Sequence, residues 1–583
     1  MGHHLSLKTT RGLMPRSAVF ATLVALTACA LPSATLHSPS PATGPPYTEA
    51  LTREIPRLLR VSGIPGLSMA VVQNGRVVWA GAFGTLNDSA QTPLNPGTIF
   101  EAASLSKPVF AYLVLRLADR GEFDLDRPLY EMLDYPRLAH DDERYKRITA
   151  RIVLSHGTGL PNWGGEKLTL RFDPGTDYGY SGEGFVFLQK TVERVTGRTL
   201  DELARREVFE PLGMTRSSYV WQARFAGNAA YGKNWLWQVA PANRYTEAEA
   251  NAAASLLTTA TDYAQFVAAV LTGRGLSAAM WNEYLTPGRE TSPGTHIGLG
   301  IRVEERPGGR TFYHSGNNGR RFTSYMTGDI AQGLGLVYFT NGPNGTSLVE
   351  ALTSRVLGNE NPAHNRAGYD RYDDPHLLAV QSVERAAVER GADAAREQLR
   401  AISASPATQP SFEDRLQLGA FFSGRGLAPL AIEVLKQAIA DSPTSAAAHL
   451  ALGRALESAG DLQAAIASYR RALNAEPDDA QRQIQWTEGR LAARARPVAV
   501  SQQIMERYAG QYQQEAVAVR NGRLYYKGAI SPESPITAIA EDLFEVDADS
   551  TRRIRFVGEG AGPAVKLIGI YSDGTMDEWA RSQ

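Results

Sequence analysis

Apolar positions in this chain follow different periods, and each period marks a different kind of structure. Val109, Phe110, Leu113, Val114 and Leu117 recur about once per helical turn, which predicts a helix with an apolar face that stops at Gly121. Pro108 fits only the first turn, so that helix starts close to Ser104. Another helix is expected over residues 47–59. Residues 67–72 and 76–79 read as strands around Asn74-Gly75, a dipeptide that accepts positive φ and so suits a two-residue hairpin. Strand-like runs at 297–301 and 333–339 extend this to an antiparallel sheet accompanied by helices.

Beyond residue 360 the period changes. Residues 361–376 are polar, contain Pro362 and Pro375, and read as a linker. Residues 377–411 pattern as a helical hairpin broken near Gly391 and closed by a breaker segment. Then Leu418-Gly419 returns as Leu452-Gly453, Ala431 as Ala465, Ala438 as Ala472 and Pro443 as Pro477, each 34 residues later. That is tetratricopeptide (TPR) spacing, and two units fill 412–496. The small residues admit close helix approach, with Leu435 and Tyr469 in the large position. Two units are fewer than the roughly three that a stable stack needs, so the preceding hairpin should pack as a degenerate third. From 502 to 583 the period is two, with a second hairpin signal at Asn521-Gly522, which predicts a small all-β domain.

At the other end, Lys8, Arg11 and Arg16 precede an apolar run at 18–26 that is too short to span a bilayer as a stable helix. The run ends at Leu26-Thr27-Ala28-Cys29, which resembles a bacterial lipobox. Cys29 is the only cysteine in the chain, so no intrachain disulfide can form. Residues 1–28 are therefore read as a lipoprotein signal peptide and Cys29 as the lipidation site; ordinary cleavage near Ala28-Cys29-Ala30 is the other reading. Ala30 in place of Asp implies a periplasmic protein anchored to the outer membrane. Residues 29–46 are a Ser-, Pro- and Thr-rich tether. With 583 residues, 43% hydrophobic, the chain can build several cores, and a net charge of −1 excludes a strongly basic nucleic-acid or membrane surface.

Candidate chemistry starts at Ser104-Leu105-Ser106-Lys107. On a helix, Ser104 and Lys107 share a face, with β-carbons about 5–6 Å apart. A serine hydroxyl becomes a nucleophile when a neighbouring base takes its proton and helix-start amides face the developing oxyanion. A desolvated lysine of lowered pKa can be that base, or can hold a second one. Two later stretches join it: Tyr178-Gly179-Tyr180-Ser181-Gly182 and Tyr313-His314-Ser315-Gly316-Asn317. The order S-x-x-K, Y-S-x, H-x-G resembles the serine β-lactamase and penicillin-binding protein superfamily, in its class C-like branch. Supporting stretches are 148–161, 208–214 and 253–259, and the resemblance runs over about 46–358.

The resemblance implies a class C β-lactamase-like α/β (α+β) domain over 47–360, its antiparallel sheet joined to a mostly helical subdomain at 125–250, with the site at their junction. It implies Ser104 as acylated nucleophile, Lys107 as its support, and Tyr180 as general base with a phenol pKa lowered by the lysine. His314 would stand beside the tyrosine and a substrate carboxylate, Gly316 with it, and the amides of Ser104 and Asn317 would form the oxyanion hole. His156 reads as a loop stabiliser, and Arg320 and Arg321 as solvated. The family's second motif usually ends in Asn; here it is Gly182, which removes an amide partner and leaves room for a bulkier acyl group. Esters should then be better substrates than β-lactams, and Gly182→Asn should favour nitrocefin.

The chain is accordingly read as an exported serine hydrolase acting on esters, D-amino-acid peptides or amides, or β-lactams, with no metal or organic cofactor, since no metal-ligand motif is present. The alternative is a slowly acylating penicillin or muropeptide sensor, or a DD-peptidase, signalling through the repeats to a protein partner. Because all three motifs lie before residue 361, a shortened chain ending there should keep turnover.

Overall fold

The computed structural model describes residues 45–582, apart from 88–90, 140, 166, 307, 359–368, 370, 529–532 and 559–561. The signal segment and Cys29 lie outside the described residues.

The first part is a nine-stranded antiparallel sheet between two helical layers. Strand Gly66–Gln73 sits inside it, paired on one side with Arg76–Asn87 and on the other with Leu334–Thr340. Beyond these lie Phe322–Asp329, Gly309–Asn318 and Arg302–Arg306 in succession. Because side chains alternate across a strand, this central strand feeds both layers. Ala70 and Val72 face a core with the helices Ser106–Asp119 and Ala260–Thr272. Leu67, Met69 and Val71 face Tyr47–Ser62 and Val349–Leu357. The hairpin turn is the expected one, with positive φ at Asn74 and Gly75.

Helix Ser106–Asp119 is buried on every side over its first ten residues, rather than on one face. It is the central rod of the larger core. The subdomain of 125–250 is less helical than expected. Its helices are Ala150–Leu154, Gly182–Thr196 and a run from Leu200 to Leu212 that passes through a π-helical segment, Arg205–Phe209; a long ordered loop over 155–181 separates the first two. The glycines and prolines between 157 and 179 explain this, since they favour turns over helix.

Three helical pairs follow. Pro375–Arg390 and Ala392–Ser403 meet at Gly391, and this hairpin shares a core with the first repeat unit, as a degenerate third unit should. The repeat's small positions are close approaches. A β-carbon on Gly419 would lie 2.5 Å from the Leu435 side chain, and one on Gly453 would lie 2.2 Å from the Tyr469 ring.

The repeats also grip the part that holds the nine-stranded sheet. A loop from it, Trp235, Leu236 and Trp237, packs into the core of the first helical pairs. Gly424 lies against Leu236, the Arg425 guanidinium donates to the Leu236 carbonyl at 3.3 Å, and the Trp237 indole N–H donates to Glu384 at 3.4 Å. At the other end, helix Pro477–Ala495 carries the last domain through Arg490, paired with Glu545 at 2.7 Å. That domain is an eight-stranded meander whose first and last strands meet at Tyr512 and Arg581, so it is nearly closed.

Candidate active site

The turn that carries Ser104 is fixed before any chemistry is considered. Ser104 lies in the 3-10 turn Ala103–Leu105 that leads into helix Ser106–Asp119. Ala103, just before it, has φ +53°, a conformation that non-glycine residues rarely hold without external constraint. The constraints are visible. The Ser106 hydroxyl donates to the Ala103 carbonyl at 2.6 Å and accepts from the Leu256 amide at 3.1 Å. Buried phenols of Tyr263 and Tyr219 donate to the carbonyls of Leu105 and Ser106 at 2.8 and 2.7 Å. The strand neighbour Ser324 donates to the Ala102 carbonyl at 2.8 Å.

Lys107 is fully buried. Its Nζ donates to the Ser104 Oγ at 3.3 Å and to the Ala253 carbonyl at 2.9 Å. Burial pulls its pKa down to about 7, because no carboxylate compensates the loss of water. The Tyr180 hydroxyl is hydrogen-bonded to the same Ser104, and its ring lies 4.7 Å from Nζ. Burial pushes the Tyr180 phenol up to about 12. This corrects the expected role: the lysine does not lower the phenol, because in the same dry site the lysine itself tends to lose its charge. The group poised near neutrality is the amine.

The third motif arrives on strand Gly309–Asn318. Its neighbour Arg302–Arg306 ends opposite Tyr313, so His314 to Asn318 extend past the last paired residue on that side. Against this free edge sits the Ser104 turn: a β-carbon on Gly316 would lie 3.0 Å from the Ser104 amide nitrogen and 2.7 Å from the Ala102 oxygen. Glycine is therefore required there by the approach of two backbones. Ser104 and Asn317 amides flank this contact, where the oxyanion hole was expected. The Asn317 side chain serves the hairpin tip, where its Oδ1 accepts from the Arg320 amide at 2.8 Å. His314 is buried 6.3 Å from Tyr180, ring to ring, and its pKa is held well below the ordinary value by burial and by nearby Arg302 and Lys107. It supplies no charge near neutrality.

The cation beside the site is instead Arg302, which the sequence reading missed. Its guanidinium donates to the Tyr178 hydroxyl at 3.4 Å and lies 5.9 Å from the Tyr313 ring. Its guanidinium is largely buried, and the groups around it are tyrosines, 178, 313, 369 and 180. His156 meets its expected role and exceeds it. It accepts the Ser181 amide on Nδ1 at 3.1 Å and stacks on Tyr180 at 4.4 Å, so it also places the tyrosine. Of the two arginines read as solvated, Arg320 is exposed, whereas Arg321 is half-buried and 3.8 Å from the buried carboxylate of Glu101.

Trp163 was missed as well. A β-carbon on Gly182 would lie 2.7 Å from its indole and 2.7 Å from the Asn162 carbonyl. The space vacated by the missing Asn side chain is thus filled by this ring, not open for a bulkier acyl group. A buried Glu183 holds the loop in place, accepting from the Gly164 amide at 3.0 Å and pairing with Arg137 at 2.7 Å. Arg137 in turn donates to the carbonyls of Gly164 and Gly165. The Pro161-Asn162-Trp163-Gly164-Gly165 run was the available signal: an aromatic among turn formers. Among the described residues no group of three His, Cys, Asp or Glu side chains is placed to hold a metal ion.

The family model described as Beta-lactamase matches residues 51–359, and one described as Tetratricopeptide repeat matches 425–484. A D-aminopeptidase of Gluconobacter oxydans (strain 621H) is 28% identical over 187 residues, 29% of this chain and 35% of that protein. Esterase EstB of Burkholderia gladioli is 30% identical over 194 residues, 28% of this chain and 49% of that protein. The chain thus spans less than half the length of these curated relatives. A class C beta-lactamase of known structure aligns at 21% identity with a TM-score of 0.45, over 51% of this chain and 91% of the other.

Proposed function

Because this chain belongs to the Beta-lactamase family, we propose that it is a serine hydrolase working through an acyl-enzyme on Ser104. One observation carries the reading: a buried amine whose pKa falls to about 7 stands 3.3 Å from the Ser104 hydroxyl. In its neutral form Lys107 accepts the Ser104 proton as Oγ attacks the acyl carbon. The amides of Ser104 and Asn317 receive the oxyanion. Neutral Tyr180, hydrogen-bonded to Ser104, passes a proton to the departing oxygen or nitrogen and is reprotonated from Lys107. Water then attacks the acyl-serine by the reverse relay and releases the acid.

The walls support a substrate class. Trp163, 51% exposed, offers an apolar face 6.0 Å from Nζ. Arg302 offers a positive charge on the opposite, third-motif side. The substrate is an ester or amide with an apolar acyl group and a carboxylate on its leaving group, of which D-amino-acid peptides and depsipeptides are examples. The filled space beside Gly182 supports weak turnover of β-lactams. The basic and apolar N-terminal segment ending at Cys29 supports an exported, lipid-anchored protein. A fluorophosphonate probe should label Ser104 in the purified protein. Labelling that persists in a folded Ser104→Ala variant would refute the assignment.

A further inference from the structure

The family match ends at residue 359, yet one residue beyond it packs behind the third-motif strand. Tyr369 lies in the connection to the repeats. Its ring packs edge-on against Tyr325, at 6.2 Å and 90°, on the sheet face opposite the nucleophile helix. Tyr313 and Tyr325 belong to that face, whereas Phe312 and Met326 face the other way. Alternation puts Ser315 on the Tyr313 side, opposite Tyr325 in register, where its side chain is a polar neighbour of the Tyr369 hydroxyl. The same hydroxyl is within electrostatic reach of Arg302 and of Tyr180. Arg302 is paired in register with Tyr313, so its side chain leaves the sheet on this face too. One guanidinium and two hydroxyls, from Arg302, Ser315 and Tyr369, therefore gather on one side of the third-motif edge.

We propose that Tyr369 is a specificity residue of this enzyme, its hydroxyl joining Arg302 and Ser315 to hold the carboxylate of a substrate's leaving group. The inference rests on the carboxylate reading above and adds a contribution from outside the catalytic domain. A carboxylate accepts several donors at once, and hydrogen bonds to a charged partner are stronger than neutral ones. Phenol and alcohol hydroxyls can each turn a proton toward it, which the guanidinium alone cannot replace in geometry. The position of Tyr369, between the catalytic domain and the first repeat helix, also makes recognition of the leaving group dependent on how the repeats are docked.

The test uses the full chain and two substrates that differ at one group: an N-acyl-D-alanyl-D-lactate depsipeptide with its carboxylate free, and the same molecule as its methyl ester. Tyr369→Phe keeps the ring on Tyr325 and removes only the hydroxyl. The kcat/KM ratio of acid to methyl ester should fall roughly tenfold, mainly through KM for the acid. Arg302→Gln should lower the same ratio further. Equal losses on both substrates in Tyr369→Phe, or an unchanged ratio, would overturn the role of Tyr369. An unchanged ratio in Arg302→Gln would instead overturn the carboxylate reading beneath it. Tyr369→Leu, which removes the ring, separates the packing contribution, since a purely structural role would move melting temperature and both substrates together.

Discussion

The indole of Trp163 occupies the space that a side chain on Gly182 would need, 2.7 Å from where its β-carbon would stand. Gly182 opens helix Gly182–Thr196 with φ outside the left-handed region, so sterics alone exclude a side chain there. Gly182→Asn is therefore expected to lower ester turnover by tenfold or more, roughly the effect of a displaced site wall, and not to create nitrocefin turnover. The double variant Trp163→Ala/Gly182→Asn clears the ring and should recover part of the loss. Steady-state rates on a p-nitrophenyl ester and on nitrocefin check this; a single variant as active as the parent would show that the loop yields freely.

Lys107 sets the pH dependence. Its pKa falls from 10.5 to about 7, so the neutral, proton-accepting amine grows in as pH rises through 7. The kcat/KM for a neutral ester should climb across that point and level off. His156 and His314 are held well below 6.5 and add no step there. The same shift acts on stability. Between about 7 and 10.5 the unfolded chain binds a proton that the folded one does not, so the lysine's penalty shrinks as pH rises through this window and is constant below it. Lys107→Met should abolish turnover and remove that slope from the melting curves.

Removing the C-terminal half should separate chemistry from stability. A chain ending at residue 360 keeps Ser104, Lys107, Tyr180 and His314 but exposes Trp235, Leu236 and Trp237, which pack against the repeats in the full chain. It should still take a fluorophosphonate on Ser104, melt several degrees lower and self-associate through the bared aromatics. Calorimetry and light scattering read both effects. A shortened chain as stable as the parent would mean the docked loop contributes little.

The repeat makes an independent prediction. Gly453 touches the Tyr469 ring so closely that any β-carbon must displace it. Gly453→Val should cost about 1–3 kcal/mol, as overpacked cores do, while Gly426→Ala, in the left-handed turn that follows the first repeat's opening helix, acts by backbone strain alone. Urea unfolding of the two variants distinguishes ring displacement from backbone strain.

Much of this was legible in the sequence. The S-x-x-K spacing, the two Asn-Gly hairpins and the 34-residue period each encode a local geometry, and the structure has all of them. Gly419 facing Leu435 and Gly453 facing Tyr469 follow from the repeat alone. What could not be read was anything that depends on contacts distant along the chain. Arg302 is only an arginine in a strand until Tyr178 and Tyr369 are folded beside it. Trp163 filling the space beside Gly182 depends on a loop held by Arg137 and Glu183, 46 residues apart. The protonation roles of Lys107 and Tyr180 depend on burial, which no motif states.

If Ser104 carries the acyl group during turnover and Lys107 takes its proton, rapid quenching of the protein with a p-nitrophenyl ester, followed by peptide mass analysis, should show both. An acyl adduct should appear on the peptide containing Ser104, formed in a burst and lost at the steady-state rate. The burst should slow as pH falls below 7 and vanish in Lys107→Met. An adduct elsewhere, or steady-state turnover in which no acyl-Ser104 is ever detected, would contradict this assignment.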